Sequence, residues 1–195
     1  MDIVSIVETI VRISMPRDSC HGYEHVERVR RLCRYIARKL MEKGIEVDLE
    51  VLELAALLHD IGRNISEERH AIVSAEIARQ ILNSLGYSKD KIEKVVKAIL
   101  AHSYSARIKP ETIEGAILSD ADKLDALGAI GIARVFMYGG AKGRSIEDSI
   151  KHIEEKILKL PDLMYTEPGR ELAKKRVEFV RQFLDAIRRE LSEEG

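Results

Sequence analysis

A chain of 195 residues, 45% hydrophobic and 33% charged, is long enough to bury one sizeable core and has the composition of a globular protein rather than a disordered or fibrous one. Its formal net charge of −1 gives no overall basic field to hold nucleic acid or an anionic membrane, and no run of about 18 apolar residues provides a membrane span. Two cysteines, Cys20 and Cys33, are too few for a disulfide framework in a chain of this size and point to a reducing, cytoplasmic setting.

Hydrophobic spacing near 3.6 residues recurs along the chain and no period-2 segment stands out, so the expected class is all-α. The first stretch, MDIVSIVETIVRISM, has neither a basic n-region nor a small-residue cleavage site and reads as a helix over 2–13, not a signal peptide. The second helix is predicted over 22–43 and closes at Gly44, a residue free to adopt the left-handed conformation. It opens with CHGYEHVERV, which sets His21 and His25 four apart on one face.

The third helix, predicted over 48–60 from an Asp48 cap, carries the run VLELAALLHDIG. That run ends on His59 and Asp60. A buried ionised carboxylate without a partner costs several kcal/mol, so Asp60 must reach water or a cation. Adjacent residues at a helix end can share one ion, because metal–ligand bonds of roughly 2 Å reach inward from both. Helices over 67–85, closed by Gly86, and 89–103, capped by Ser88, each carry one histidine, His70 and His102.

The segment 112–138, broken near Gly128, contains ILSDADKLDALGAIGIAR. Asp120, Asp122 and Asp125 fall among Ile117, Leu118, Leu124, Leu127 and Ile130, which leave little polar face for three carboxylates. At least one is expected to point into a polar cavity. Helices over 145–159, with Ser145 and Asp148 as a capping pair, and 168–192, with Pro168 in the first turn, complete the chain. His152 reads as a surface residue. Loops are short except around 103–111 and 139–144. The expected organisation is a single domain over 1–195, with a core over about 18–138 and the helices of 145–192 packed on it. Imidazole and carboxylate without thiolate suit Mn, Fe, Co, Ni or Zn, and admit Mg through the carboxylates.

In the order His25, His59-Asp60, Asp122, the sequence resembles the H…HD…D signature of the HD-domain superfamily of metal-dependent phosphohydrolases. HVERV, ALLHDIG and DADKL are similar to its motifs. The likeness extends to a small single-domain bacterial and archaeal branch of about 200 residues, through DSCHGYEHVERV, AALLHDIG, AILAHS, LSDADKLDALGAIGIAR and EKILKLPDLMYTEPGRELAKKRVEFVRQFL.

The resemblance implies a helical bundle with a central divalent ion, Mn foremost and Ni, Co, Mg, Fe or Zn as alternatives, on His25, His59, Asp60 and Asp122. Asp120 and Asp125 would then orient histidines or arginines. His70 and His102 admit a second ion, as in HD proteins with an H…HD…H…H…D series. The implied reaction is hydrolysis of a small nucleotide by metal-activated water attack on phosphorus. A nucleoside triphosphate pyrophosphohydrolase, a nucleotide phosphodiesterase and a phosphatase all fit. Asp60 would act as base, and His21 or His102 as acid or phosphate donor. Arg63 and Lys123 would grip phosphate, and Tyr23 and Tyr104 would contact base or ribose. The alternatives are a dinuclear-iron HD-type oxygenase and a non-catalytic, metal-containing nucleotide-binding module. The expected partner is a phosphorylated small molecule, with no membrane and no stable nucleic-acid partner; a homodimer is compatible.

Overall fold

The computed structural model describes residues 2–15, 22–103 and 108–192. Among them are nine α-helices, one 3-10 helix and no strand, as the hydrophobic spacing predicts. The chain divides into two compact units, residues 1–122 and 123–195.

The first unit is built around α3 (Leu49–Leu58), whose residues Val51, Leu52 and Leu54 to Leu58 are all buried. A helix apolar on every side must be surrounded, and α3 packs against α1 (Ile3–Ser14), α2 (Tyr23–Met41) and α5 (Lys89–His102). Helix α4 (His70–Ser84) packs on α5. Asp48 caps α3 by accepting from the Val51 amide at 3.2 Å, and its own amide donates to the Glu114 carboxylate at 2.9 Å. The latter bond ties the start of α3 to α6 (Ile113–Asp125). Buried Arg30 joins α1, α2 and α3: it donates to Glu8 at 2.9 Å and Glu27 at 3.1 Å, and its Nε donates to Glu53. Three carboxylates around one guanidinium offset the desolvation that would otherwise make it unfavourable there.

The end of α3 and the start of α4 differ from expectation for local reasons. Helix α3 ends at Leu58, with His59 as its C-cap, and α4 starts at His70, three residues later than predicted. Between them Arg63 donates to the Asp60 carbonyl, Ile65 to that of Gly62, and the Arg69 amide to Ser66 Oγ, so backbone groups that would extend the helices are used in turns. Gly44 and Gly86 have φ of 80° and 71°, the left-handed closures expected of them. Asp48 and Ser145 cap with their side chains, whereas Ser88 makes no side-chain cap bond.

The second unit contains α7 (Gly128–Ala141), α8 (Ile146–Glu155), a 3-10 turn (Ile157–Leu163) and α9 (Glu167–Leu191). The predicted break falls at Gly128, whose φ of 73° turns the chain from α6 into α7. Arg134 pairs with Asp125 at 2.8 Å and Arg176 donates to the Leu124 carbonyl, holding that corner from α7 and α9. The helix predicted over 145–159 stops at Glu155, and the chain tightens into the 3-10 segment around Pro161, which has no amide proton to continue an α-helix. Helix α7 packs on α8 and α9, with Phe136 and Phe183 edge to face at 5.7 Å between centroids. Thr166 caps α9 and Pro168 sits in its first turn. No single helix among the described residues is long and apolar enough to cross a membrane.

Candidate metal centre

Helix ends of the first unit bring four histidines around one carboxylate. His25 comes from the first turn of α2, His59 from the C-cap of α3, His70 from the first residue of α4 and His102 from the last residue of α5. All four are buried, as is Asp60. His59 Nε2 lies 3.3 Å from His25 Nε2, and His25 Nε2 lies 3.4 Å from Asp122 Oδ1 and 3.7 Å from Asp60 Oδ2. On the other side, Asp60 Oδ1 is 3.8 Å from His70 Nε2 and 3.7 Å from His102 Nε2. Two ligand-like groups therefore share Asp60: His25, His59 and Asp60, with Asp122 beside His25, and Asp60, His70 and His102.

The proton positions on the rings follow from the backbone. Nδ1 of His59 meets the Ala56 carbonyl at 2.8 Å, that of His70 meets the Glu67 carbonyl at 2.9 Å, and that of His102 meets the Ile99 carbonyl. A carbonyl only accepts, so each Nδ1 carries a proton, and the neutral rings of His59 and His70 offer a lone pair at Nε2. Those lone pairs are turned toward a carboxylate that is itself an acceptor. Burial pushes the His59 ring down to about 4, against the pull of Asp60, and lowers His70 as well, so both are neutral near pH 7. Burial acts against ionisation of Asp60, but the approach of His102 and the Arg63 guanidinium are among the influences that outweigh it and hold its carboxyl well below the ordinary range. Asp122, 29% exposed, is likewise held far down: burial is outweighed above all by the His25 hydrogen bond.

Acceptors converging on acceptors in a buried site need a cation between them. Ligand atoms about 3 to 4 Å apart have the spacing that bonds of about 2.1 Å to a shared ion produce. Neutral imidazoles with their far nitrogens fixed on carbonyls, together with ionised carboxylates, make a donor set suited to a divalent metal.

The other sequence-selected residues are placed as follows. Arg63 Nη1 lies 3.2 Å from each Asp60 oxygen. Asp120 is fully buried on α6, and Asp125 pairs with Arg134. Lys123 is buried, with Nζ 5.2 Å from the centre of the half-exposed Tyr165 ring. The Tyr23 hydroxyl donates to Glu8 at 3.0 Å and accepts from Arg12 at 3.1 Å. His152 is half-buried on α8. His21 and Tyr104 lie outside the described residues, as does Cys20; Cys33 is a free thiol buried in α2.

Sequence reasoning missed Ser74, whose Oγ accepts from the Gly62 amide at 2.9 Å directly behind the His59-Asp60 pair. The available signal was its position four residues after His70, on the same helix face. It also missed Ser119, whose hydroxyl approaches the His102 carbonyl at 3.4 Å.

A family model described as "HD domain" matches residues 22–127, which include every residue of the cluster. The Bacillus subtilis protein YpgQ is 36% identical over 181 residues, covering 89% of this chain and 85% of its own. A crystal structure of YpgQ in complex with ADP superposes with a TM-score of 0.78 at 33% identity, covering 96% of this chain and 97% of that one. A predicted HD-superfamily hydrolase from an uncultured Thermotogales bacterium gives a TM-score of 0.70 at 32% identity, covering 98% and 92% of the two chains. Ribonuclease Y of Borreliella burgdorferi is 32% identical over 139 residues, 69% of this chain but 22% of that enzyme.

Proposed function

The chain belongs to the HD-domain family, and from that premise we propose that it is a metal-dependent phosphohydrolase acting on a small nucleotide. Release of pyrophosphate from a nucleoside triphosphate is the favoured reaction, with phosphodiester or phosphomonoester cleavage as variants of the same chemistry. The observation that carries the reading is the convergence of neutral Nε2 atoms and ionised carboxylates on Asp60, with the ring protons held on backbone carbonyls. The hydrolase class is supported by the HD-superfamily hydrolase among the similar structures, and the nucleotide by the ADP that YpgQ binds. Ribonuclease Y, although much longer, is also a relative that acts on a phosphorylated substrate.

In this reading His25, His59, Asp60 and Asp122 hold a divalent ion. Such an ion lowers the pKa of water and draws charge from a phosphoryl oxygen. The protein's own groups do the rest. Asp60 would help hold the ion and, being ionised, would accept the proton of the attacking water. Asp122, the more exposed carboxylate, lines the side open to solvent. Arg63 supplies a guanidinium three residues from Asp60 for a phosphate oxygen.

A second ion on Asp60, His70 and His102 is favoured by one specific feature: Oδ2 of Asp60 faces His25 and His59, whereas Oδ1 faces His70 and His102. In that arrangement both Asp60 oxygens and His102 would be ligands, so the base for water and the acid for the leaving group would both be other groups.

The test is metal-quantified protein assayed with Mn, Co, Ni and Mg against nucleoside mono-, di- and triphosphates and phosphodiesters. Metal-dependent release of pyrophosphate or phosphate is expected. Hydrolysis of none would move a non-catalytic nucleotide-binding module ahead, and native protein holding two irons would move the oxygenase ahead.

A further inference from the structure

Asp60 is 2% exposed, and among the described residues Arg63 is the one lysine or arginine within ion-pair distance of it. The pairing is symmetric, with Nη1 3.2 Å from Oδ1 and 3.2 Å from Oδ2. The contact is an imperfect use of a guanidinium. One nitrogen serves both oxygens, while Nε is buried and meets no acceptor among the described residues. The rings stand further off, with Nε2 of His25, His59, His70 and His102 at 3.7, 4.0, 3.8 and 3.7 Å from Asp60 oxygens against 3.2 Å for Arg63. Without Arg63, the buried carboxylate would keep no permanent positive charge within ion-pair distance among the described residues.

Resting on the reading that a divalent ion binds His25, His59 and Asp60, we propose that Arg63 is a placeholder for that ion. It neutralises Asp60 until the ion arrives, is drawn off when the ion takes over the carboxylate charge, and then offers its guanidinium to a phosphate of the substrate. The planar fork suits two phosphate oxygens better than the single-nitrogen contact it leaves. The side chain is 23% exposed, so its head group has a route toward solvent without unpacking the core. An order of binding follows: cation first, phosphate second.

The experiment measures Mn2+ binding to metal-free protein by titration calorimetry, and ADP binding with and without Mn2+, in wild type, Arg63→Gln and Arg63→Lys. Arg63→Gln is expected to bind Mn2+ at least about tenfold tighter, since the ion no longer displaces a cation from a buried carboxylate. Its metal-free form should melt earlier than the wild type. ADP affinity should fall about tenfold in the Mn2+-loaded variant and stay unchanged in the metal-free one. Arg63→Lys keeps an ammonium on Asp60 and covers the case in which the glutamine variant does not fold. It should bind Mn2+ within about threefold of wild type and lose ADP affinity only when loaded. The placeholder role is overturned if Arg63→Gln binds Mn2+ no tighter than wild type, or if either variant loses ADP affinity equally with and without the metal. Wild type that binds no Mn2+, or His59→Ala that binds it as well as wild type, would instead overturn the metal site itself.

Discussion

The Gly62 amide donates to Ser74 Oγ at 2.9 Å, a buried hydrogen bond that ties the turn after His59-Asp60 to helix α4. The approach is close: a Cβ on Gly62 would stand 2.7 Å from the Ser74 nitrogen and 2.7 Å from Val73 Cγ1. The same helix begins with His70, so α4 holds the turn at two points one helical turn apart. Ser74→Ala leaves a buried amide unpaired, at about 1–3 kcal/mol. At about 2–4 °C per kcal/mol for a chain of this size, Tm should fall by several degrees. Gly62→Ala should destabilise more, because the obstructing atoms include backbone. Thermal melts of both variants check the order; Ser74→Ala melting later than Gly62→Ala is the expected result.

Asp60 belongs to both ligand-like groups, so its replacement acts on all of them at once. Asp60→Ala should lower Mn2+ affinity more than about 100-fold, beyond the 10–100-fold typical of groups that only orient a ligand. Metal-dependent hydrolysis should vanish with it. His152→Ala, on α8 of the second unit, should leave hydrolysis within about twofold. Equilibrium dialysis beside a phosphate-release assay measures both, and equal activity in wild type and Asp60→Ala would refute the assignment of the site.

Much of this arrangement could be read from local sequence because it is made locally. Asp48 caps α3, Gly44 and Gly86 close their helices, and Gly128 turns the chain, each through residues within a few positions. The histidines stand at helix ends and fix their own protons on carbonyls three residues back, also a local pattern. What escaped was set across the fold. Ser74 meets Gly62 twelve residues away, and the Tyr23 hydroxyl donates to Glu8 on α1, fifteen residues away. The helix expected to run to 159 stops at Glu155, because the apolar Ile157 that fits a continuing α-helix is taken into the 3-10 segment instead.

Acid should weaken the metal-free protein from near neutrality downward. His59 titrates at about 4 in the folded chain against an ordinary 6.5, so between those values the unfolded state binds more protons. Stability therefore rises with pH across that window, and His70, also lowered, adds to the same slope. The depressed carboxyls of Asp60 and Asp122 stabilise the fold above the ordinary carboxylate range, and that contribution is lost on acidification below 3.8. Tm of chelator-treated protein should climb from pH 4 to about 6.5 and then level. His59→Gln, which does not titrate, should flatten the climb; an unchanged slope would mean that His59 is not neutral in the folded protein.

The two faces of Asp60 make a stoichiometric prediction. If Oδ2 serves His25 and His59 while Oδ1 serves His70 and His102, saturated protein carries two Mn2+ per chain and the pair His70→Ala/His102→Ala carries one. Each bound ion stabilises only the folded state, by about 2.7 kcal/mol at a free concentration 100 times its Kd. Chelation should then lower Tm of wild type by about 5–10 °C for one such ion, and by more for two. The double variant should retain the smaller shift, because His25, His59, Asp60 and Asp122 are untouched. Metal counting by mass spectrometry on dialysed protein decides directly. One ion in both proteins would restrict binding to the Oδ2 side and release His102 for the leaving-group proton, whereas two in wild type and one in the variant would make Asp60 a bridge.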